Sequence, residues 1–125
     1  MFKIKEKHME KEFVTWSQVE DFIDELKKHF CNVKFSGVYG VPKGGMVIAS
    51  MIAYNFNIPL LMAPYAGCLV VDDTADTGKT LRHYQEKGYK IATLYWKKSS
   101  EVTPDYYMFE KKDAWVVFPW ERGEK

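Results

Sequence analysis

Two adjacent aspartates, Asp72 and Asp73, follow an apolar run and precede a short loop that contains a third, Asp76. The run Leu69–Val71 predicts a buried strand, and open α/β sheets bind their ligands at the carboxyl ends of strands. The loop 76–80 reads Asp-Thr-Gly-Lys-Thr and opens a helical pattern, so its backbone N–H groups would face an anion such as phosphate. Carboxylates that can bind hydroxyl groups beside a cradle for phosphate predict a site for a ribose phosphate.

A nucleotide-binding P-loop is excluded by the residue at position 73. The motif G-x-x-x-x-G-K-[ST] fits Gly78, Lys79 and Thr80, but its first glycine falls at Asp73. A carboxylate at that place would repel the phosphates of a nucleotide. A plainer alternative stays open, namely a buried strand, an Asp-rich turn and a helix cap, because Asp and Thr are common capping residues.

The segment Val41–Gly45 reads Val-Pro-Lys-Gly-Gly and joins a predicted strand to a predicted helix. Its glycines permit unusual backbone angles, and the following helix N-terminus favours an anion. Lys43 is therefore a candidate anion-binding residue. A plain glycine turn is the alternative, since glycine often marks turns.

These segments resemble the type I phosphoribosyltransferase family. Leu69–Leu81 resembles the family signature of an apolar strand, two acidic residues and a D-T-G-x-T loop, and Val41–Gly45 resembles its pyrophosphate loop, which often contains an unusual cis peptide bond. Phe13–Trp16 (FVTW) and Trp115–Glu121 (WVVFPWE) resemble the two ends of the xanthine-guanine branch. The resemblance covers nearly the whole chain in the family's order, so the chain is identified as a shortened member of the purine branch.

The resemblance implies a role for each motif residue. Asp72 and Asp73 would hold the ribose hydroxyls of phosphoribosyl pyrophosphate, directly or through Mg²⁺, and Glu121 would help to position the metal and the pyrophosphate. Asp76 would serve the purine N7 as hydrogen-bond acceptor or general base, and it is the predicted catalytic residue. The predicted site for phosphoribosyl pyrophosphate consists of Lys43, Gly44, Asp72, Asp73, Ala75, Asp76, Thr77, Gly78, Lys79 and Thr80.

The resemblance places the base site in the second half of the chain. Lys97 would donate a hydrogen bond to the purine O6, and Lys98 would take that place if the register slipped by one residue. Trp115 would stack on the purine with its flat apolar face, and Val116 belongs to the same predicted site. A buried structural tryptophan is the alternative for Trp115, because aromatic side chains usually lie in the core.

The spacing of apolar residues predicts the elements that must position these side chains. A helix is predicted over about 18–30, with a capping box between Ser17 and Glu20, and residues 1–12 predict a loose arm. Further helices are predicted over 45–55 and 77–87, and strands over 34–41, 59–62, 67–72 and 89–96, with edge strands over 105–110 and 114–118.

Strands and helices alternate through the middle of the chain, which predicts the α/β class. We expect one domain over residues 1–125 with a Rossmann-like parallel sheet flanked by helices on both faces. The resemblance specifies this as the type I phosphoribosyltransferase fold with a small C-terminal hood.

Composition limits the possible partners and locations. A net charge of +1 gives no general attraction to nucleic acid or membranes, and a basic surface interleaved with aromatic residues is missing, so an RNA-binding regulator is not favoured. No apolar stretch reaches the roughly 18 residues of a membrane-spanning helix. Cys31 and Cys68 are expected to be reduced in a cytoplasmic protein.

The sequence departs from the family pattern before its central strand. The family has a long mobile loop there that covers the reaction centre, whereas here only Leu60 to Cys68 separates Pro59 from Leu69. A neighbouring subunit or the N-terminal arm could supply the cover. Otherwise the protein could bind phosphoribosyl compounds without efficient transfer.

The resemblance predicts an enzyme, a purine phosphoribosyltransferase of purine salvage. It would transfer phosphoribosyl from phosphoribosyl pyrophosphate to guanine, xanthine or hypoxanthine, with Mg²⁺ as cofactor. A cytoplasmic homo-oligomer, dimer or tetramer, is expected. The alternative, motivated by the short segment before the central strand, is a non-catalytic or regulatory nucleotide-binding protein on the same fold.

Overall fold

The central feature of the fold is a sheet of five parallel strands in the order β3-β2-β4-β5-β6. This computed structural model describes residues 10–121. The predicted parallel sheet is confirmed. Its strands are β2 (Val38–Gly40), β3 (Leu60–Leu61), β4 (Leu69–Ala75), β5 (Lys90–Lys97) and β6 (Tyr106–Lys111).

Both faces of the sheet are covered, which explains why β4 and β5 are almost continuously apolar. On one face, Leu69 and Val71 of β4 join a core cluster with α1 (Trp16–His29) and α2 (Gly44–Phe56). On the other face, Val70 packs in a second cluster with Leu81 of α3 (Lys79–Glu86). The prediction of helices on both faces is therefore confirmed.

Helix α1 begins at a different cap from the predicted one. The side chain of Thr15 accepts a hydrogen bond from Gln18 N at 3.1 Å, and Gln18 Oε1 accepts one from Thr15 N at 2.9 Å. The predicted capping box of Ser17 and Glu20 is wrong, although both pairs fit the S/T-x-x-E/Q pattern. Packing decides between them, because Val14, the residue before the true cap, is buried in the core cluster that also holds Val19 of the first helical turns.

The two ends of the described chain form a second, two-stranded sheet, which we call the hood. Strand β1 (Lys11–Phe13) pairs in parallel with β7 (Trp115–Val117). Part of the predicted loose arm is therefore a strand, and the hood is built from both ends of the chain and not from the C-terminal end alone. Residues 1–9 of that arm lie outside the described residues.

Strand boundaries shift by three residues or more from the predicted ones in two places. Strand β2 covers only Val38–Gly40 of the predicted 34–41, and β4 runs three residues beyond its predicted end at Asp72. Pairing of Thr74 and Ala75 with β5 extends β4, since each added residue gains partners in the ladder. Among residues 10–121, the helices are too short or too polar to cross a membrane.

Candidate active site

The predicted site residues come together because the five strands are parallel and all end at one edge of the sheet. Lys43 follows β2, Asp76 follows β4, and Lys97 is the last residue of β5. Ligands of open α/β sheets bind at this edge. Asp72 and Asp73 lie inside β4 and not at its tip, two to three residues before its last residue, Ala75.

Asp72 and Asp73, the carboxylate pair, are adjacent in β4, and their carboxyl groups interact with each other. Asp73 faces the start of α2, because a side chain at Gly44 would collide with its carboxylate. A helix N-terminus carries partial positive charge, which favours a carboxylate there. Asp73 N donates a hydrogen bond of 2.8 Å to Asp72 Oδ1, which links the two residues.

Burial makes the charged form of this carboxylate pair costly. Desolvation raises the pKa of Asp72 well above the usual range of an aspartate, and the charge of Asp73 raises it further. Burial also raises the pKa of Asp73, with a smaller contribution from the charge of Glu121. Glu121 therefore lies near the pair, and its Oε1 accepts a hydrogen bond from Phe118 N at 3.0 Å.

The carboxylate pair fits the chemistry of a hard cation such as Mg²⁺. Oxygen ligands suit this ion, and a positive charge would offset the cost of ionising two buried carboxyl groups. Within the described part of the chain, His, Cys, Asp and Glu residues form no group of three that could hold a metal by itself. Mg²⁺ would therefore need oxygens from water or a ligand, as it commonly does in phosphate sites.

The loop Asp76–Thr80, the phosphate loop, turns sharply at Gly78. Gly78 has a φ of 82°, and a side chain there would collide with the segment 100–102. Glu101 N donates to Thr77 O at 2.8 Å, so the same segment fixes the loop. A cavity of about 110 Å³ opens here, lined by Asp72 and residues 74–81. Helix α3 begins at Lys79 and not at the predicted 77, since the turn at Gly78 precedes it.

The turn after β2 brings the backbone at the start of α2 close to the central strand, β4. The peptide bond between Pro42 and Lys43 is cis, and α2 begins at Gly44 directly after it. A side chain at Gly45 would collide with the carbonyl of Val71 in β4. The side chain of Lys43 is exposed, so it is free to reach an anion at this edge.

Asp76 lies between two lysines. Lys97 Nζ is 3.8 Å from Asp76 Oδ1, and Lys111 Nζ is 3.2 Å from Asp76 Oδ2. Lys97 and Lys111 are register partners at the ends of β5 and β6. The ends of β5 and β6 thus place two ammonium groups beside the carboxylate of Asp76, the first residue of the phosphate loop.

Trp115 lies on β7 with 61% of its surface exposed. This exposure excludes the alternative of a buried structural tryptophan. Val116 is buried, so only its backbone can face a ligand. Trp120 stacks on Phe118 with ring centroids 5.1 Å apart and has a packing role.

The comparisons with known proteins agree with this geometry. No protein-family model matches the chain. A crystal structure of purine phosphoribosyltransferase from Pyrococcus horikoshii OT3 matches it with a TM-score of 0.77 at 34% identity, covering 90% of this chain and 95% of that one. This chain belongs to the purine phosphoribosyltransferase family. The predicted family, fold and enzyme class are thereby confirmed.

Two further relatives lie at greater sequence distance. Xanthine-guanine phosphoribosyltransferase from Chromohalobacter salexigens is 28% identical over 135 aligned positions, covering 88% of this chain and 83% of that protein. Xanthine-guanine-hypoxanthine phosphoribosyltransferase from Helicobacter pylori has the same fold, with a TM-score of 0.73 at 16% identity and coverage of 89% and 93%.

In this member of the phosphoribosyltransferase family, Lys111 is a site residue that the sequence did not reveal. Next to Lys112 in the chain it has the pattern of an ordinary charged surface. Only the parallel pairing of β6 with β5 places it beside Lys97 and against Asp76. One sequence feature could have pointed to Lys111. It ends the strand that follows the strand ending in Lys97, so pairing of these two strands in parallel would place the two lysines side by side.

The connection between β3 and β4 is short, residues 62–68, as the sequence indicated. It carries the exposed side chains of Met62 and Tyr65.

Proposed function

We propose that this protein transfers phosphoribosyl from phosphoribosyl pyrophosphate to a 6-oxopurine, namely guanine, xanthine or hypoxanthine. The products would be a nucleoside 5′-monophosphate and pyrophosphate. The observation that carries this proposal is the position of Asp76, which joins the phosphate loop to Lys97 and Lys111 at adjacent strand ends. The names of the xanthine-guanine relatives support the choice of a 6-oxopurine.

The donor substrate would bind along the ends of β4 and β2. The phosphate loop would bind the 5′-phosphate through its backbone N–H groups and the hydroxyls of Thr77 and Thr80. The cavity at this loop supports this assignment, because it is lined by the loop itself. Lys43 and Gly44, at the start of α2, would bind the pyrophosphate.

The carboxylate pair would hold the ribose hydroxyls and, with Glu121, Mg²⁺. When bound, the ion would neutralise charge on the pyrophosphate leaving group. The raised pKa values of Asp72 and Asp73 support a cation here, since no positive group in the described part of the chain offsets the burial of their ionised forms. The contact of Asp73 with Gly44 joins these carboxylates to the predicted pyrophosphate turn.

The base would bind across the ends of β5 and β7. Asp76 would accept the hydrogen of the purine N7 or remove it as general base, while Lys97 donates to O6. Trp115 would stack on the ring, and the backbone of Val116 would contact its edge. A bond then forms between a purine nitrogen and C1′ as the bond from C1′ to pyrophosphate breaks, and the protein contributes mainly positioning and charge stabilisation.

We also propose that the enzyme is a cytoplasmic homo-oligomer, a dimer or tetramer, in which a neighbouring copy covers the reaction centre. The short connection 62–68 supports this, because a lid of the family's kind cannot be built from it. Exposed apolar residues in and beside that connection support an interface, namely Leu60, Met62 and Tyr65. Both cysteines are free thiols, as expected in a reducing compartment.

The test is release of pyrophosphate by the purified protein with phosphoribosyl pyrophosphate, Mg²⁺ and each of the three purines. We expect release with at least one base, and Asp76→Asn should lower kcat by about 100-fold or more, because it removes the general base. No release with any base, together with tight calorimetric binding of GMP, would instead favour a non-catalytic nucleotide-binding protein. The short connection 62–68 is the observation that keeps this second function in view.

A further inference from the structure

The carboxylate of Asp76 contacts two ammonium groups, one on each oxygen. Lys111 Nζ donates a hydrogen bond of 3.2 Å to Oδ2, whereas Lys97 Nζ is 3.8 Å from Oδ1. The two lysines are register partners on neighbouring parallel strands, so their side chains project from the same side of the sheet. Asp76 therefore has a near cation and a more distant one.

The two lysines also differ in their exposure to water. The side chain of Lys111 is 23% exposed, compared with 47% for Lys97. Salt and water screen a shielded pair less than an exposed one. The contact between Lys111 and Asp76 is both shorter and better shielded, and it is therefore the stronger of the two.

The proposed function gives Lys97 two incompatible partners. Its Nζ is close to Asp76 in the structure, yet it must donate to the purine O6 when the base binds. When Lys97 turns to the base, Asp76 loses part of its positive surroundings at the moment when it must accept the N7 hydrogen. A second cation that stays on Oδ2 would remove this conflict.

We propose that Lys111 is a positioning residue that holds and orients the Asp76 carboxylate while Lys97 leaves it for the base. This inference rests on the proposed function and deepens it. Lys111 acts through Asp76 and does not touch the base. Because it holds Oδ2, Oδ1 is the oxygen left to the purine once Lys97 has moved.

The test measures the KM for the base and the KM for phosphoribosyl pyrophosphate separately. In Lys111→Ala, Lys97 is the one lysine left on Asp76 among residues 10–121, and it must break its ion pair to bind O6. We expect the KM for the base to rise about fivefold to tenfold, as expected for loss of one charged hydrogen bond. The KM for phosphoribosyl pyrophosphate should change less than twofold, and Lys111→Arg should recover most of the loss, since it restores a cation.

Lys112→Ala is the matched control. Lys112 is the next residue, its side chain is 73% exposed, and it pairs with Glu110 at 3.5 Å. The variant removes the same charge from the same strand end and should leave both KM values unchanged. Equal KM values for the base in Lys111→Ala and Lys112→Ala would overturn the inference, and so would a parallel rise in both KM values of Lys111→Ala.

Calorimetric binding of a free 6-oxopurine, hypoxanthine, separates failure of this inference from failure of the proposed function. Hypoxanthine carries O6 and, in its 7-H tautomer, the N7 hydrogen, so Lys111→Ala should bind it about fivefold to tenfold more weakly than Lys112→Ala does. Ribose 5-phosphate lacks the base and should bind both variants equally. Wild-type protein that releases no pyrophosphate contradicts the proposed function. Equal affinity of the two variants for hypoxanthine contradicts the role of Lys111 whether or not turnover occurs.

Discussion

Asp72 and Asp73 illustrate how a proposed binding residue can oppose folding. Each carboxylate is largely removed from water, and burial is the main reason for its raised pKa. The two carboxyl groups interact with each other, and Glu121 adds a third negative charge. The proposed cation would stabilise such a site, so the unbound protein should be less stable than its core allows.

The first prediction follows from the raised pKa of Asp72. A group whose folded pKa is raised contributes its full stability below the pKa of the unfolded chain and loses it as pH rises through the folded value. Asp72→Asn removes the ionisable group, and with it this loss of stability at high pH. In metal-free buffer the variant should therefore be more stable than the wild type, by about 1–3 kcal/mol at pH 8 and by less at pH 5.

Chemical unfolding at the two pH values checks this prediction. Asp76→Asn is the control, because Asp76 is exposed and already paired with two lysines. Removing its charge should therefore not increase the free energy of unfolding. A gain for Asp72→Asn that is equal at pH 5 and pH 8 would show that burial of charge is not the cause.

Some of these residues could be found from the sequence and others could not. Asp72, Asp73 and Asp76 stand at or beside the end of a predicted strand, so local pattern was sufficient to select them, whereas Lys97 was selected by the resemblance to the family. Lys111 acquires its contact from the pairing of β6 with β5, which is not a local property. The same limit explains the cap of α1, where Thr15 and Ser17 both fit the pattern and the burial of Val14 decides.

At the scale of elements, the phosphate loop depends on a close fit with a neighbouring segment. Gly78 closes the loop with a positive φ, and residues 100–102 pack directly where a side chain would project. The segment also donates Glu101 N to Thr77 O. The loop is therefore preformed, which lowers the entropy cost of binding a phosphate.

The second prediction separates backbone strain from steric fit at this loop. Gly78 and Gly88 have φ values of 82° and 87°, but a side chain at Gly88 would meet nothing within 4 Å. Gly88→Ala should cost about 1 kcal/mol for its backbone angle alone. Gly78→Ala should cost about 2–4 kcal/mol, because it must also displace the neighbouring segment.

Chemical unfolding of both variants measures these costs, and kinetics supplies a second readout. Only Gly78→Ala should raise the KM for phosphoribosyl pyrophosphate, since Gly88 lies beyond the far end of α3. Equal losses of stability in the two variants would mean that residues 100–102 yield freely and that the loop is not preformed.

At the scale of the whole molecule, the fold gathers distant segments at one edge. The alternation of strands and helices predicted the parallel sheet, because a parallel pair requires a crossover connection. It could not predict the hood, in which residues 11–13 pair with residues 115–117. That pairing anchors Trp115, since Trp115 N donates to Glu10 O at 2.8 Å, so the N-terminal segment helps to position a proposed base-binding residue.

The last prediction concerns what covers the reaction centre. Met62 is 80% exposed in the short connection before β4, and the exposed Leu60 and Tyr65 lie near it in the chain. If a second copy covers this surface, a charge placed there should separate the copies and expose the reaction to water. Met62→Glu should therefore sediment as a monomer of about 14.6 kDa and lose turnover, whereas the wild type sediments as a larger species.

Val33→Glu is the control for this experiment. Val33 is also exposed and apolar, but it lies between α1 and β2, outside the connection 62–68. This variant should keep both the assembly and the turnover of the wild type, because it adds the same charge outside that connection. A wild-type monomer with full turnover would rule out cover by a neighbouring copy. Cover would then have to come from the chain itself, and the N-terminal residues 1–9, which precede β1 of the hood, would be the segment to delete next.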